Sequence, residues 1–320
     1  MKFLTPQLLA AAAVAAAGAF AAPTAFAQGT FTPGTGTGTN CNPGTSSDDS
    51  VSCSVGTVTA NMQAWGFTGA TLSSTAAAGF QRGRIGDFDA AGFGAYTGSN
   101  ESTTGNHHAF DNLSNLTTTP CGTGSGATGG SVTLSTANSG CGGSIEALFM
   151  DFGTAKVNLS NVGIGFNGGD ADLSVWMWTG AGVASISGSS ATGSTTTTGT
   201  TAASLTGWSL VSNNNFGSGV GSQSTGGTLY SSAFLITTYF GAATSTLSAG
   251  NDSFKINSFT VATCAGTLSG GTSGTGAGGG NGASCSTTGV PEPGSLALAG
   301  LAIVGMAASR RKTLVTRKAA

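Results

Sequence analysis

The chain has 320 residues, of which 55 are glycine and only 7% are charged, and its formal net charge is −2. So few charges with so much glycine are unusual for a cytosolic enzyme and favour an extracellular β-rich protein with low-complexity loops. Five of the ten basic residues lie in 310–320, so residues 28–289 keep four basic against eleven acidic residues, a formal charge of −7. An acidic body without clustered lysine and arginine excludes nucleic acid as a partner.

The N-terminal stretch, residues 1–27, has the three parts of a secretory signal peptide. Lys2 supplies the basic region, an apolar run follows, and Ala25 and Ala27 form a small-x-small cleavage site. We therefore expect an N-terminal signal helix, export through the Sec machinery and a mature chain that starts at Gln28.

The main body is expected at residues 51–265, after a flexible arm at 28–50 that is rich in glycine, threonine and proline. Within the body, short apolar or alternating runs recur between turn residues, as is typical of about nine or ten β-strands. A 3.6-residue period with helix caps is not found there. The sequence therefore predicts an all-β fold, a β-sandwich or jelly-roll-like single domain with Gly/Ser/Thr-rich loops.

Details within the body sharpen this prediction. In 157–166 the alternation slips by one residue between Leu159 and Val162, which predicts a β-bulge or a turn. Residues 117–143 and 185–204 are predicted to be low-complexity excursions without a core role, and 88–96 a weak strand. The aromatic residues expected in the core are Trp65, Phe149, Phe152, Phe166, Trp176, Trp178, Trp208 and Phe234.

Both histidines of the chain, His107 and His108, stand close to Asp111. Such a group can support acid–base chemistry or metal ligation. Adjacent residues of a strand point to opposite faces, however, which favours a turn-packing role over one shared site. We assign no catalytic residue, and a secreted hydrolase that uses these histidines is the less favoured alternative.

Asp170 and Asp172 lie two residues apart in a glycine-rich turn, and their carboxylates are ligands that suit Ca²⁺. Asp111 or Asp252 would be able to join them in the fold. The pattern lacks the downstream glutamate of an EF-hand loop, and a solvated turn is the alternative. Calcium is the one cofactor that the sequence suggests.

Two other patterns have ordinary explanations. The strings at 124–129 and 163–168 match Gly-x-Gly-x-x-Gly, but neither opens a predicted helix, so a dinucleotide site is not expected. Trp176 and Trp178 share one face of a predicted strand. If exposed, they would form a sugar-stacking platform of a carbohydrate-binding module; burial in the core is the favoured interpretation.

The number of cysteines is even, which in an exported chain indicates disulfides. Fifteen pairings are possible, and the simplest set is local because each pair brackets a Gly/Ser/Thr-rich segment. Without a Cys-x-x-Cys motif or a histidine near a cysteine pair, zinc ligation is disfavoured. The local pairs are Cys41 with Cys53, Cys121 with Cys141, and Cys264 with Cys285.

A low-complexity linker at 266–289 leads to a C-terminal segment of three parts at 290–320. The first part is a rigid, extended Pro-Glu-Pro motif. The 13 apolar residues at 296–308 would span about 20 Å as a short transmembrane helix, against a hydrocarbon core of ~30 Å, which suits a transient membrane tether. A basic cluster follows, which the positive-inside rule keeps cytoplasmic. The residues of the motif and the cluster are Val290, Pro291, Glu292, Pro293, Arg310, Arg311 and Lys312.

This arrangement resembles a PEP-CTERM sorting signal. The resemblance implies that a membrane-embedded exosortase recognises the Pro-Glu-Pro motif, removes the segment and releases or attaches the body. An uncleaved single-pass anchor is the alternative. The body also resembles the exosortase-dependent surface protein family, in the order of its segments 108–112, 147–152, 162–166, 170–176, 207–211 and 232–236.

The resemblance implies display at the cell surface or in the extracellular matrix, in association with exopolysaccharide, and implies no enzymatic activity. We therefore expect a non-enzymatic exported protein. Its expected partners are the exosortase, the Sec machinery, the membrane before processing, and extracellular polysaccharide.

Overall fold

The computed structural model describes residues 28–32, 41, 50–67, 80–82, 84–89, 91–96, 110–111, 145–186, 191–192, 202–249, 252–272, 280–286 and 300–303. The chain divides into two compact units, of which the larger runs Ala27–Ser286 and the smaller combines Met1–Phe26 with Thr287–Ala320. In the smaller unit only residues 300–303 are described, and they are helical.

The larger unit is built from β-strands, nineteen of which fall within its described residues. They are β1 Gln28–Phe31, β2 Val51–Val55, β3 Val58–Phe67, β4 Phe80–Arg82, β5 Arg84–Asp89, β6 Gly92–Tyr96, β7 Phe110–Asp111, β8 Glu146–Asp151, β9 Val157–Asn167, β10 Asp172–Trp178, β11 Ala191–Thr192, β12 Ser204–Leu205, β13 Trp208–Asn215, β14 Gly221–Ser224, β15 Leu229–Tyr230, β16 Ala233–Thr238, β17 Ser253–Thr263, β18 Thr267–Ser269 and β19 Ala283–Ser286.

The strands form two seven-stranded antiparallel sheets and two small ones. The first sheet has the order β14-β9-β17-β6-β5, with β1 and β7 also paired to β17. The second has the order β13-β10-β16-β8-β3-β2, with β4 paired to β3; β11-β12 and β15-β19-β18 are the small sheets. The predicted all-β class is therefore confirmed, with more and shorter strands than expected. The sequence signals missed strands of two to four residues because long-range pairing, rather than local pattern, forms them.

One hydrophobic cluster takes residues from both large sheets. Successive residues of a strand point to opposite faces, and in β8 Leu148 and Met150 belong to this cluster while Phe149 does not. Phe31 of β1 stacks on Phe259 of β17 with ring centroids 4.7 Å apart and meets Phe152, which follows β8, edge to face at 6.4 Å. The two sheets thus share a core.

A second hydrophobic cluster covers the other face of the second sheet, around Trp176 of β10. Ile186 and Ala191, both buried, belong to it, and Ala191 lies in β11, which pairs with β12. The expectation that 185–204 has no core role is therefore wrong. Isolated apolar residues in a Ser/Thr/Gly-rich run give no periodic signal, yet they close the outer face of the sheet.

The expected flexible arm also begins as ordered structure. Gln28–Phe31 pairs along its whole length with β17, and Phe31 is fully buried. Cys41 is buried and bonded to Cys53 of β2. The expectation of a flexible arm is wrong for these residues, because one phenylalanine and one cysteine among glycine and threonine give a weak local signal, although each has a buried partner beyond the arm.

The described residues of the expected linker 266–289 likewise belong to the body, since they include β18 and β19 and the larger unit runs to Ser286. Cys285 of β19 is bonded to Cys264. The side chain of Asn281, almost fully buried, accepts hydrogen bonds from Lys156 Nζ at 2.6 Å and from the Ser232 N–H at 3.0 Å. Buried amides require such partners, so this glycine-rich segment folds through its polar side chains. The disulfides Cys41–Cys53 and Cys264–Cys285 are two of the three local pairs favoured by the sequence.

Two predictions concern local features of the strands, the slip in 157–166 and the weak strand at 88–96. Along β9 and β17 the register shifts between Thr260 and Val261, leaving Ser160 as the extra residue, so the predicted bulge is confirmed. The predicted weak strand at 88–96 is instead the hairpin of β5 and β6. Gly92 opens β6 with φ +114°, and a Cβ there would lie 2.2 Å from the Ile256 carbonyl oxygen, so only glycine fits.

The predicted core aromatics are largely correct. Trp65, Phe166 and Trp178 are half-buried. The others that were predicted, Phe149, Phe152, Trp176, Trp208 and Phe234, are buried. Among the described residues, six further phenylalanines outside that list are fully buried: Phe31, Phe93, Phe110, Phe240, Phe254 and Phe259.

Candidate functional site

Three aspartates meet where the chain crosses between the two large sheets. Asp170 lies in the turn that leads from β9 of the first sheet to Asp172, the first residue of β10 in the second. Asp252 ends the segment that returns from β16 of the second sheet to β17 of the first. One carboxylate oxygen of each aspartate lies within 4.8 Å of the others. The cluster thus joins both crossings.

Hydrogen bonds hold each of the three carboxylates in place. The N–H of Asp172 donates to Asp252 Oδ1 at 2.7 Å, and the N–H of Ser248 donates to Asp172 Oδ2 at 2.8 Å. The Ser248 hydroxyl donates to Asp170 Oδ2 at 3.4 Å, and the N–H of Ala171 to Asp170 Oδ1 at 3.0 Å. The carboxylates are therefore positioned by the backbone of both crossing segments.

The turn before β10 is shaped by its glycines and by Asn167. Asn167 Oδ1 accepts a hydrogen bond from the N–H of Gly169, which has φ +131°. The Gly168 N–H donates to the Ser253 carbonyl at 2.8 Å, and the Ser253 N–H donates to the Asp170 carbonyl at 3.0 Å. This reciprocal pair fastens the turn to the start of β17, which explains why residues about 80 positions apart meet.

Asp172 carries the least satisfied group of the cluster. Asp172 and Asp252 are both 0% exposed, and Asp172 Oδ1 accepts no hydrogen bond from any described residue. Burial raises the pKa of Asp172 to about 7; the Ser248 N–H opposes this rise and the charge of Asp170 adds to it. A buried carboxylate oxygen without a donor is costly unless a proton or a cation neutralises it.

The structure thus brings the two predicted aspartates together and adds Asp252, which the sequence left as an option. The backbone of Asp111, the other option, pairs with that of Ser253, next to Asp252. The donor Ser248 was not anticipated, because one serine in a Ser/Thr-rich segment carries no distinguishing signal. Calcium at this cluster stays a prediction.

The tryptophan pair does not form an exposed platform. Trp176 is buried, stacks on Phe240 at 5.5 Å, and donates its indole N–H to Thr237 Oγ1 at 3.1 Å. Trp178 is half-buried and meets Trp208 edge to face at 5.3 Å. The favoured interpretation, a core position, therefore holds for Trp176. A sugar ring cannot stack on Trp176 in this structure.

The remaining predicted site residues lie mostly outside the described part of the chain. Gln28, the predicted mature start, is the first residue of β1. The following predicted residues lie outside the described part of the chain: Ala25, Ala27, His107, His108, Cys121, Cys141, Val290, Pro291, Glu292, Pro293, Arg310, Arg311 and Lys312.

The C-terminal segment follows the last strand of the larger unit after a few residues of sequence. Ser286 ends β19, and the Pro-Glu-Pro motif starts at Pro291. Of the predicted apolar helix 296–308, residues 300–303 are described as helical. The described residues include no helix with the length and apolar character needed to cross a membrane.

Comparison with known families decides the nature of this segment. The family model of the PEP-CTERM protein-sorting motif matches residues 289–312. The chain carries a PEP-CTERM protein-sorting motif. It is therefore an exosortase-targeted protein, exported to the cell envelope or surface. Searches of curated proteins and of solved structures give no match for the chain.

Proposed function

We propose that this PEP-CTERM protein is a non-enzymatic structural component of the cell surface or extracellular matrix, associated with exopolysaccharide. The observation that carries the proposal is the sorting motif at 289–312, which follows the compact unit Ala27–Ser286 almost directly. The sorting motif and the folded body are thus parts of one short chain, and the body is the part that the sorting machinery delivers.

The order of events follows from the positions of the segments. The leader directs export, the exosortase reads the Pro-Glu-Pro motif, and cleavage there removes the basic cluster with the tail. The delivered body then keeps four basic and eleven acidic residues between 28 and 289. Its disulfides Cys41–Cys53 and Cys264–Cys285 suit an oxidising compartment. An acidic, disulfide-bonded β body supports a structural role.

Replacement of the motif tests the sorting part. In the producing strain, the triple variant Pro291→Ala, Glu292→Gln, Pro293→Ala is expected to accumulate as the uncleaved form in the membrane fraction. Glu101→Gln removes a glutamate elsewhere and is the matched control, expected to be processed normally. Normal processing of the triple variant would show that this motif is not what the sorting enzyme reads.

Co-sedimentation tests the structural part. Body recovered from the strain is expected to sediment with the purified extracellular polysaccharide of that strain. If the body stays in the supernatant at every salt concentration, the polysaccharide association is wrong, although the sorting assignment stands.

A further inference from the structure

We propose that Asp170, Asp172 and Asp252 form a calcium site that fastens together the two crossings between the large sheets. This inference is independent of the sorting motif, which lies in another part of the chain. It rests on the spacing of the carboxylates, the chemistry of their oxygens and the unpartnered oxygen of Asp172.

The spacing of the three oxygens suits Ca²⁺. Ligand oxygens stand about 2.3–2.6 Å from Ca²⁺, so that oxygens on opposite sides of the ion are ~4.6–5.2 Å apart. The three carboxylate oxygens here lie within 4.8 Å of one another. Oxygens this close together are able to serve as ligands of one Ca²⁺.

The chemistry of the ligands agrees with a hard cation. The grouping consists of carboxylates, without a cysteine or histidine among its members, and oxygen-only sets prefer Ca²⁺ or Mg²⁺ to zinc. Ca²⁺ commonly completes its six to eight ligands with backbone carbonyls and water. Loops rich in glycine, such as the one that holds Asp170, bring carbonyls close without side-chain obstruction.

The unpartnered oxygen is the independent sign of a ligand. The other oxygen of Asp172 accepts the Ser248 N–H at 2.8 Å, which fixes the carboxylate plane. Oδ1 is buried and has no donor in the described structure. Native proteins rarely leave such an atom without a partner. A bound cation would be that partner and would also offset the mutual repulsion of three carboxylates.

A Ca²⁺ bound by the three aspartates would link the two large sheets. The turn before β10 and the segment before β17 each contribute ligands, and each connects one large sheet to the other. An ion held by both would stabilise the junction of the two sheets on arrival in a calcium-containing medium. Extracellular modules bind Ca²⁺ with dissociation constants of about 10⁻⁴–10⁻³ M, and we expect an affinity in this range.

Terbium luminescence on the full chain provides the test. Tb³⁺ replaces Ca²⁺ and emits when a nearby aromatic residue is excited. Tyr239, whose N–H donates to the Asp172 carbonyl at 2.9 Å, is such a residue. We expect emission that Ca²⁺ displaces at lower concentration than Mg²⁺ does. Asp172→Asn and Asp252→Asn should each weaken the displaceable binding at least tenfold.

Asp151→Asn is the matched control, because Asp151 lies at the opposite end of the same sheet. It pairs with Ala233 at the start of β16, whereas Thr238 at the end of β16 pairs with Leu173 beside the site. The control should bind as the wild type does. Wild-type affinity in Asp172→Asn, absence of displaceable emission, or tighter competition by Mg²⁺ would each overturn the proposal. If Asp172→Asn does not fold, Asp170→Asn replaces it in the test, because the Asp170 side chain is only half-buried. An unchanged affinity of Asp170→Asn for Ca²⁺ would also overturn the proposal.

Discussion

Replacing Asp172 with asparagine is expected to stabilise the protein in a chelator and to remove its response to calcium. Two carboxylates within 4.8 Å of each other repel by at least about 3 kcal/mol at an effective dielectric constant of about 20. The rise in the pKa of Asp172 from 3.8 to about 7 corresponds to a cost of the same order above pH 7. Asparagine removes this charge and still offers an oxygen to the Ser248 N–H.

We expect a net gain in the free energy of unfolding of about 1–3 kcal/mol for Asp172→Asn at pH 8 with EGTA, because the buried amide offsets part of the benefit. Ca²⁺ at 100 times its dissociation constant should stabilise the wild type by about 2.7 kcal/mol and the variant hardly at all. Urea unfolding, followed by tryptophan fluorescence with and without Ca²⁺, measures both effects.

The pH dependence gives a control with a definite sign. The pKa of Asp172 is higher in the folded than in the unfolded protein, so its favourable contribution is complete below about 3.8 and is lost as the pH rises through about 7. The advantage of Asp172→Asn in EGTA should therefore shrink at pH 5. If the variant is less stable than the wild type in EGTA at pH 8, or if Ca²⁺ stabilises both equally, the reasoning about this cluster is wrong.

Three further substitutions test the packing of the body by urea unfolding. Gly207→Ala should destabilise the protein by more than the roughly 1–2 kcal/mol of left-handed backbone strain, because its Cβ would lie 2.6 Å from the Trp178 ring. Gly56→Ala, at a position with φ +59° and open space, is the control and should lose only the strain energy. Equal losses of unfolding free energy in the two variants would disprove the clash. Asn281→Ala leaves several buried donors unpaired and should cost about 2–3 kcal/mol, whereas a loss below 0.5 kcal/mol would mean that water replaces it. Cys285→Ser opens the disulfide to a residue 21 positions away and should cost about 3 kcal/mol; no loss under oxidising conditions would show that the bond is not formed.

The sequence predicted the features that depend on neighbouring residues. The alternation at 157–166 and the slip before Val162 are local, and the structure has β9 with its bulge at this place. The sorting motif is likewise contiguous, so its residues could be recognised without a fold. The Asp170–Asp172 pair was visible for the same reason.

What the sequence did not predict depends on distant partners. Gln28–Phe31 is a strand only because β17 lies beside it, more than 220 residues later. Asn281 gives order to a glycine-rich run through hydrogen bonds to residues such as Lys156, 125 positions away. The sequence left Asp252 only as an option beside Asp111, because it joins the aspartate cluster through a bond to Asp172, 80 positions earlier. No local pattern distinguishes these residues from others of their kind.

The intact mass of the protein isolated from the producing strain tests the central claim, that a sorting enzyme delivers this body, most directly. We predict one dominant species that starts at Gln28, ends close to Pro293 and is six mass units lighter than the fully reduced chain if all six cysteines are paired. A dominant species that retains Arg310, Arg311 and Lys312 in a strain with an active exosortase would contradict the account.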